Sequence, residues 1–260
     1  MNPADLSWSA RTRRAPGTPV PIANPPGPCP VDIGVLHELK GETRSIPKGA
    51  HVRLRRRDPE FAVLVLSGLL FRYVQTHNGS RQIVAFYFPG DWASVEALVG
   101  APLEGEIAAV TRAKVRLIPP GEIRELGKTP RIFRSLTIET LFQAGVQSAW
   151  LTRNSVMPAV ASLAHFLCEM IIRSGAARAD GTVSCSFPLT QPMIAETLGL
   201  TPVHVNRTLR VLRERRLADL ARGILRVNSL RDLAAAAEFD PLYLEPRSTT
   251  PSAPPGTRIS

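Results

Sequence analysis

Residues 189–217 read LTQPMIAETLGLTPVHVNRTLRVLRERRL. Two short helical patterns are joined at Gly199-Leu200. Thr190 stands where an N-cap would accept a hydrogen bond from the first turn, and Pro192 falls within that turn, where a missing N–H costs nothing. Ile194, Ala195 and Leu198 face inward, and Ala195 is small, as the close crossing of two short helices requires. Gly199 supplies the turn. Thr201 and Pro202 then restart the chain as N-cap and first helical residue. On the second helix Val205, Leu209 and Leu212 recur at i, i+4 and i+7 as one apolar stripe. Val203, Asn206, Arg207 and Arg210 share the opposite face. The spacing predicts helix, tight turn, helix.

The stripe accounts for packing but not for the cations. Residues 201–217 hold five arginines, and residues 201–235 hold eight arginines against three acids, Glu214, Asp219 and Asp232. A solvated helix face normally mixes signs through i, i+4 pairs, and few acids are available here. One face held to a domain and the other cationic is the division of labour of a helix-turn-helix, whose second helix enters the major groove. Arg207 can donate two hydrogen bonds to guanine O6 and N7. Asn206 can pair with adenine or hold a phosphate, and Val203 can touch a thymine methyl. LADLARGILRVNS (217–229) reads as two short strands around Arg222-Gly223, a wing. Nucleic-acid binding is the function this segment predicts.

The composition of the 260 residues agrees. A net charge of +10 favours a polyanionic partner, and 44% hydrophobic residues supply a globular core. Cys29, Cys168 and Cys185 lie far apart with no CxxC spacing. They argue against a structural zinc site, an iron–sulfur cluster held by cysteines alone and a disulfide framework, and for a reducing compartment. Cys168, in LAHFLCEMII, reads as a buried core residue. No apolar run reaches the ~18 residues of a membrane span. The first thirty residues carry arginines but no apolar signal region. A soluble, cytoplasmic protein without a membrane partner is expected. No nucleophile, base and orienting group fall together, and no phosphate-binding glycine loop is present, so the chain reads as a non-enzyme.

Residues 1–30 and 246–260, rich in proline and small residues, are expected to be disordered. From 44 to 118 the texture is β. FAVLVLSGLLFRYVQ holds two strands with Ser67-Gly68 as the turn, HNGS (77–80) is a hairpin turn, RQIVAFYF is a strand, and IAAVTRAKVRLIPP supplies two more. Short strands at this spacing suggest a small barrel or sandwich. At Pro130 the period changes. Ile138, Leu141, Phe142, Gly145 and Ala149 recur as one face of a long helix. Gly145 in mid-helix costs ~1 kcal/mol relative to Ala and is tolerated where another backbone approaches, as in a helix–helix dimer; packing on its own domain is the alternative. A second helix covers about 156–173, ending near Ser174-Gly175, followed by a short strand, TVSCSF.

Taken in order, GSRQIVAFYFPGDW, AAVTRAKVRLIP, the long helix and PLTQPMIAETLGLTPVHVNRTLRVLRERRL resemble the Crp/Fnr family of bacterial transcription regulators, over about residues 31–243. The resemblance implies an α+β chain: a cyclic-nucleotide-binding-like β-roll (31–127), a long dimerisation helix (128–155) and a C-terminal winged helix-turn-helix (156–245). It implies a homodimer on a palindromic promoter site, with half-sites about one helical turn apart, read by helix 202–216, and contact with RNA polymerase. Carried over by position, the base-contacting face falls on Pro202, Val203, Asn206 and Arg207. The phosphate contacts fall near Thr190, Gln191, Thr201 and Arg210. His204 and Arg222 complete the expected DNA-facing set. Val203 stands where the family commonly has glutamate. A carboxylate accepts from cytosine N4 and valine does not, so the usual operator sequence is not carried over.

The family's cyclic-nucleotide binders grip their ligand with a Gly-Glu pair and a later Arg-Ser pair. Ser94-Val95 and Ile107-Ala108 occupy those places here. A cyclic phosphate would lack its cation, which disfavours cyclic AMP. The oxygen-sensing branch uses an N-terminal cysteine cluster, and only Cys29 lies in that half, which disfavours the iron–sulfur cluster. His37, His51 and His77 lie in or near the barrel and no spacing singles one out, so haem stays open and the effector is unknown. HVRLRRR (51–57) reads as a solvated strand and loop. Two other classes compete. A barrel-type metal enzyme needs a His/Glu constellation, and no His-x-His exists. A protein-interaction module would use the basic helix to grip an acidic partner, against which the wing and the Gly-Leu-Thr turn argue.

Overall fold

The β texture of the N-terminal half folds as seven strands: β1 (Glu42–Ile46), β2 (His51–Val52), β3 (Ala62–Ser67), β4 (Leu70–Gln75), β5 (Arg81–Tyr87), β6 (Glu106–Ala109) and β7 (Ala113–Ile118). The computed structural model describes residues 40–244, apart from 53, 55–60, 99–100, 120, 123–129 and 179. The expectations for residues 1–30 and 246–260, for Cys29 and His37, and for much of the 51–57 cluster therefore lie outside the described residues. The strands pair antiparallel in two sheets, in the orders β1-β7-β3 and β2-β6-β4-β5. Val63, Val65, Leu70, Ala85, Tyr87, Ile107, Ala109, Val115 and Leu117 fill the space between them. Gly68 turns β3 into β4 at φ +85°, and a Cβ there would strike the Arg112 carbonyl. The Asn78-Gly79 turn closes the β4–β5 hairpin, with Thr76 N–H donating to Ser80 O at 2.9 Å.

The period change at Pro130 marks α1 (Pro130–Val156). The second helix, α2 (Ala159–Ser174), begins three residues later than the sequence pattern suggests, because Pro158 stands at its N-cap. It ends on Gly175 at φ +66°, whose N–H reaches Ile171 O and Ile172 O. Every residue of α2 from Ser162 to Ile172 is buried, because it has neighbours on all sides. A single apolar core runs from Phe71, Ile83 and Phe86 on the outer face of the hairpin, through Trp150 of α1 and Phe166 and Leu167 of α2, to Leu198, Val205 and Leu233. Cys168 lies in it, fully buried.

The strand TVSCSF becomes β8 (Val183–Ser186), which joins β9 (Asp219–Ala221) and β10 (Ile224–Val227) in the order β8-β10-β9, so the wing is three-stranded. Between them stand α3 (Gln191–Leu198) and α4 (Pro202–Glu214). A short helix α5 (Leu230–Ala236), capped by the Ser229 hydroxyl, and a 3-10 turn (Pro241–Leu244) close the chain; sequence patterning does not anticipate either. Among the described residues no helix is long and apolar enough to cross a membrane.

Candidate nucleic-acid interface

The helix pair forms as its residues dictate. The Thr190 hydroxyl accepts from Met193 N–H at 3.3 Å and the Thr201 hydroxyl from His204 N–H at 3.2 Å, capping α3 and α4, while Gly199 takes φ +66° between them. Val205, Leu209 and Leu212 are buried against α2 and α3. Thr190, Gln191, Thr201, Pro202, Val203, His204, Asn206, Arg207, Arg210 and Arg222 are all exposed. Val203 is 80% exposed, on a helix whose other branched aliphatic residues are largely covered. An apolar side chain left in water beside Asn206 and Arg207 contributes nothing to the fold.

The residues expected to face DNA lie on α4, at the N-caps and start of the two helices and at the wing tip. Asn206 Nδ2 lies 3.4 Å from Gln191 Oε1, bringing the two helices' polar ends together. Arg222 holds φ +52° beside Gly223 at +73°, so the β9–β10 turn projects its side chain from the wing. Arg210 departs from the sequence expectation of a cation short of acidic partners. Its Nε lies 2.8 Å from Glu214 one turn on, an exposed i, i+4 pair. Both the pair and its exposure make it cheap to release.

Three polar contacts pin this helix pair to the rest of the chain. Arg81 of β5 pairs with Glu196 of α3 at 2.8 Å. The Thr197 carbonyl accepts from Gln82 of β5 at 3.2 Å and from Asn154 of α1 at 2.9 Å. Behind it, Glu169 of α2 is a buried hub. It accepts from Trp150 Nε1, from Arg153 and Arg173, and from the Tyr243 hydroxyl. Arg173 also reaches Asp91 of the β-roll at 2.8 Å.

On the other side, α1 and the β-roll line an open cleft of about 400 Å³, formed by Arg72, Trp92, Glu96 and Tyr87 from the roll and by Gln143 and Gln147 from α1, among others. Position-by-position comparison leaves this site without a cation, but the structure places one. Arg72 comes in from β4, where LFRYVQ interrupts an otherwise apolar strand with a guanidinium. The nearby carboxylate is Glu96, one residue beyond the Ser94-Val95 pair. The two meet at 2.6 Å. Ser94 is buried with its hydroxyl on Phe61 O, and Ile107 and Ala108 are buried in the sheet. His51 contacts the Tyr73 hydroxyl at 2.9 Å and His77 is exposed in the hairpin turn. Among the described residues no group of three or more His, Cys, Asp or Glu is placed to hold a metal.

Residues 161–236, spanning α2 through α5, match the family of Crp-like helix-turn-helix domains. This part of the chain is similar to a Crp-like helix-turn-helix domain. The sequence matches no curated protein. Among solved structures, FixK2 of Bradyrhizobium japonicum is similar at a TM-score of 0.66 and 23% identity, over 75% of this chain and 96% of that one. The CRP/FNR-family transcriptional regulator TTHA1359 of Thermus thermophilus is similar at 0.63 and 20%, over 76% and 98%. The c-di-GMP-responsive regulator CLP of Xanthomonas campestris is similar at 0.62 and 14%, over 75% and 99%. The expected α+β architecture, a cyclic-nucleotide-binding-like roll followed by a long helix and a Crp-like helix-turn-helix, is therefore the fold of this chain.

Proposed function

We propose that the chain is a transcription regulator of Crp/FNR type that binds promoter DNA as a homodimer and reads a two-fold symmetric site through α4. One observation carries the reading. The face of α4 that packing leaves free holds Val203, Asn206 and Arg207, three side chains that contribute little to stability and match the edges of bases. Arg207 reads a guanine, Val203 a thymine methyl, and Asn206 an adenine or a phosphate. Thr190, Gln191, Thr201, Arg210 and Arg222 hold the backbone on both sides, with Pro202 and His204 at the mouth of the helix.

The dimer rests on α1. Its inner side is Glu139, Val146, Trp150 and Arg153, all buried within one chain. Leu141, Leu151 and Val156 stay 62%, 71% and 76% exposed. A Cβ on Gly145 would meet nothing among the described residues, so the groove there is open to a second helix. Exposed apolar side chains on a long helix suit self-association. The β-roll serves as effector domain, with the cleft beside α1 as its site; the regulator contacts RNA polymerase and works in the cytoplasm. The reading assigns no catalytic step to the chain.

The test is selection of bound sequences from random duplex DNA at two salt concentrations. A symmetric motif with a guanine in each half-site is the expected result. Weak enrichment whose affinity collapses with salt means phosphate attraction alone, and overturns base readout in the ligand-free form.

A further inference from the structure

Beyond α5 the chain turns back on itself. Glu238 takes φ +49°, the left-handed region that a non-glycine residue keeps only when its surroundings hold it there. Two hydrogen bonds do so. Glu238 N–H reaches Ala235 O at 3.3 Å and Phe239 N–H reaches Ala234 O at 2.9 Å, which ends the helix and reverses the chain. Phe239 then meets His165 of α2 edge to face, with ring centroids 4.8 Å apart. The Asp240 carboxylate accepts from Leu242 N–H at 3.0 Å and starts the 3-10 turn Pro241–Leu244, which packs against both α1 and α2.

The turn fastens the two helices at one buried point. Pro241 and Leu244 are buried, Leu242 faces solvent, and the Tyr243 ring stacks on His165 with centroids 6.0 Å apart. The Tyr243 hydroxyl donates to Glu169 of α2 at 3.1 Å. Burial, and then the Glu169 charge, hold the phenol well above its ordinary range, so it keeps the proton it donates. The same carboxylate accepts from Trp150 and Arg153 of α1. Two residues, Met157 and Pro158, separate α1 from α2, and Glu169 closes the angle across that joint. An ionic joint in a dry interior offers little stability over an apolar one. Its return depends on geometry: a small shift of either helix leaves a charge or an N–H without its partner.

The helix-turn-helix travels with α2, against which α4 packs, so the angle at the joint decides where α4 stands relative to α1. We propose that the turn Pro241–Leu244 is a brace that fixes this angle, with Tyr243 as its positioning residue, and that in the dimer the brace sets which spacing between half-sites the protein accepts. This rests on the reading of the chain as a homodimer on a symmetric site. Two α4 helices held at one separation engage two half-sites at one spacing, and an added base pair shifts and rotates one half-site against the other. Helices carried on a slack joint follow such a change. The partly exposed Arg81–Glu196 pair steadies the same unit from the roll, whereas Tyr243 grips it at the buried middle of α2.

Binding of the full chain to three duplexes tests it: the selected symmetric site, the same site with its spacer one base pair longer, and a single half-site. The unsubstituted chain should bind the lengthened site about tenfold more weakly than the selected one, because both half-sites are no longer held together. Tyr243→Ala should shrink that difference below about threefold while half-site affinity and sedimentation as a dimer stay unchanged. Tyr243→Phe, which keeps the ring and removes only the hydroxyl, should fall between the two. Leu242→Ala, on the exposed side of the turn, should behave as the unsubstituted chain. Discrimination that survives Tyr243→Ala overturns the brace, as does an equal loss of affinity for the half-site, which makes Tyr243 a fold residue only. Should Tyr243→Ala fail to fold, Tyr243→Phe decides, and discrimination equal to that of the unsubstituted chain overturns the brace. A monomeric unsubstituted chain, or selection without a symmetric motif, overturns the dimer reading and the brace with it. A dimer that accepts both spacings, or whose preference ignores Tyr243, overturns the brace alone.

Discussion

The Arg153 guanidinium of α1 lies 3.3 Å from the Glu169 carboxylate of α2, and both side chains are wholly buried. Burial draws the Arg153 pKa down, against the pull of Glu169, which raises it. Arg153 also sits over the Trp150 ring at 4.7 Å. Breaking a buried pair by removing one partner costs more than the pair contributes, since the survivor is left uncompensated. Glu169→Ala orphans Arg153, the Trp150 N–H and the Tyr243 hydroxyl together. It should destabilise the chain by roughly 3–5 kcal/mol in urea unfolding. Arg153→Met, which leaves Glu169 its contact with Arg173, should cost less.

His165 is packed in the same region, edge-on to Phe239 and stacked on Tyr243. Burial first, then the nearby Arg153 charge, pushes its imidazole down to about 4. The unfolded chain thus binds a proton that the folded chain refuses between about pH 6.5 and pH 4. The stability His165 contributes is present above about pH 6.5 and is lost as pH falls toward about 4, by roughly 2–4 kcal/mol. Urea unfolding at neutral pH and near the folded-state pKa should show that loss. His165→Phe should shrink it, and an unchanged difference between the two pH values would assign it to other groups.

Arg207 and Arg222 should separate by what they touch. Arg207→Ala is expected to cost ~1–3 kcal/mol and to relax preference at one base pair per half-site. Arg222→Ala is expected to weaken all sequences alike and to lower the slope of log affinity against log salt by about 1. Binding titrations at several salt concentrations distinguish the two patterns.

On α1, Leu141→Glu should convert the proposed dimer to a folded monomer in sedimentation, because Leu141 is largely exposed within its own chain. Gly145→Leu should do the same if a second helix lies across it. In an isolated helix, replacing that glycine would instead add about 1 kcal/mol of stability. A stabilised, still dimeric Gly145→Leu protein would place the interface elsewhere.

How much of this was legible follows from the range of each interaction. Thr190, Gly199, Thr201 and the Val205–Leu209–Leu212 stripe announce the helix pair because caps, turns and i, i+4 spacing are local. The hairpin at Asn78-Gly79 is local too. The periodicity of α1 was visible, but not how its faces divide: Phe142 leans inward, Leu141 outward, and the inner side proper is Val146, Trp150 and Arg153. Arg72 and Glu96 lie 24 residues apart and meet only through the folding of the roll, so no spacing rule joins them. Glu169, charged in the middle of an apolar helix, was a readable oddity; its partners on α1 and at Tyr243 were not, being set by how separate elements dock.

The Thr197 carbonyl, which takes one amide from the hairpin and another from the long helix, has a mechanical consequence. Arg81 and Gln82 are neighbours on β5, and their partners Glu196 and Thr197 are neighbours on α3, so the two hairpin contacts open together. Asn154 ties the same carbonyl to α1, so freeing α3 from the hairpin alone does not release it. Swinging the helix-turn-helix away from the roll loads all three contacts in one motion. Such a joint behaves as a latch rather than a spring: it holds its angle under small forces and gives way all at once.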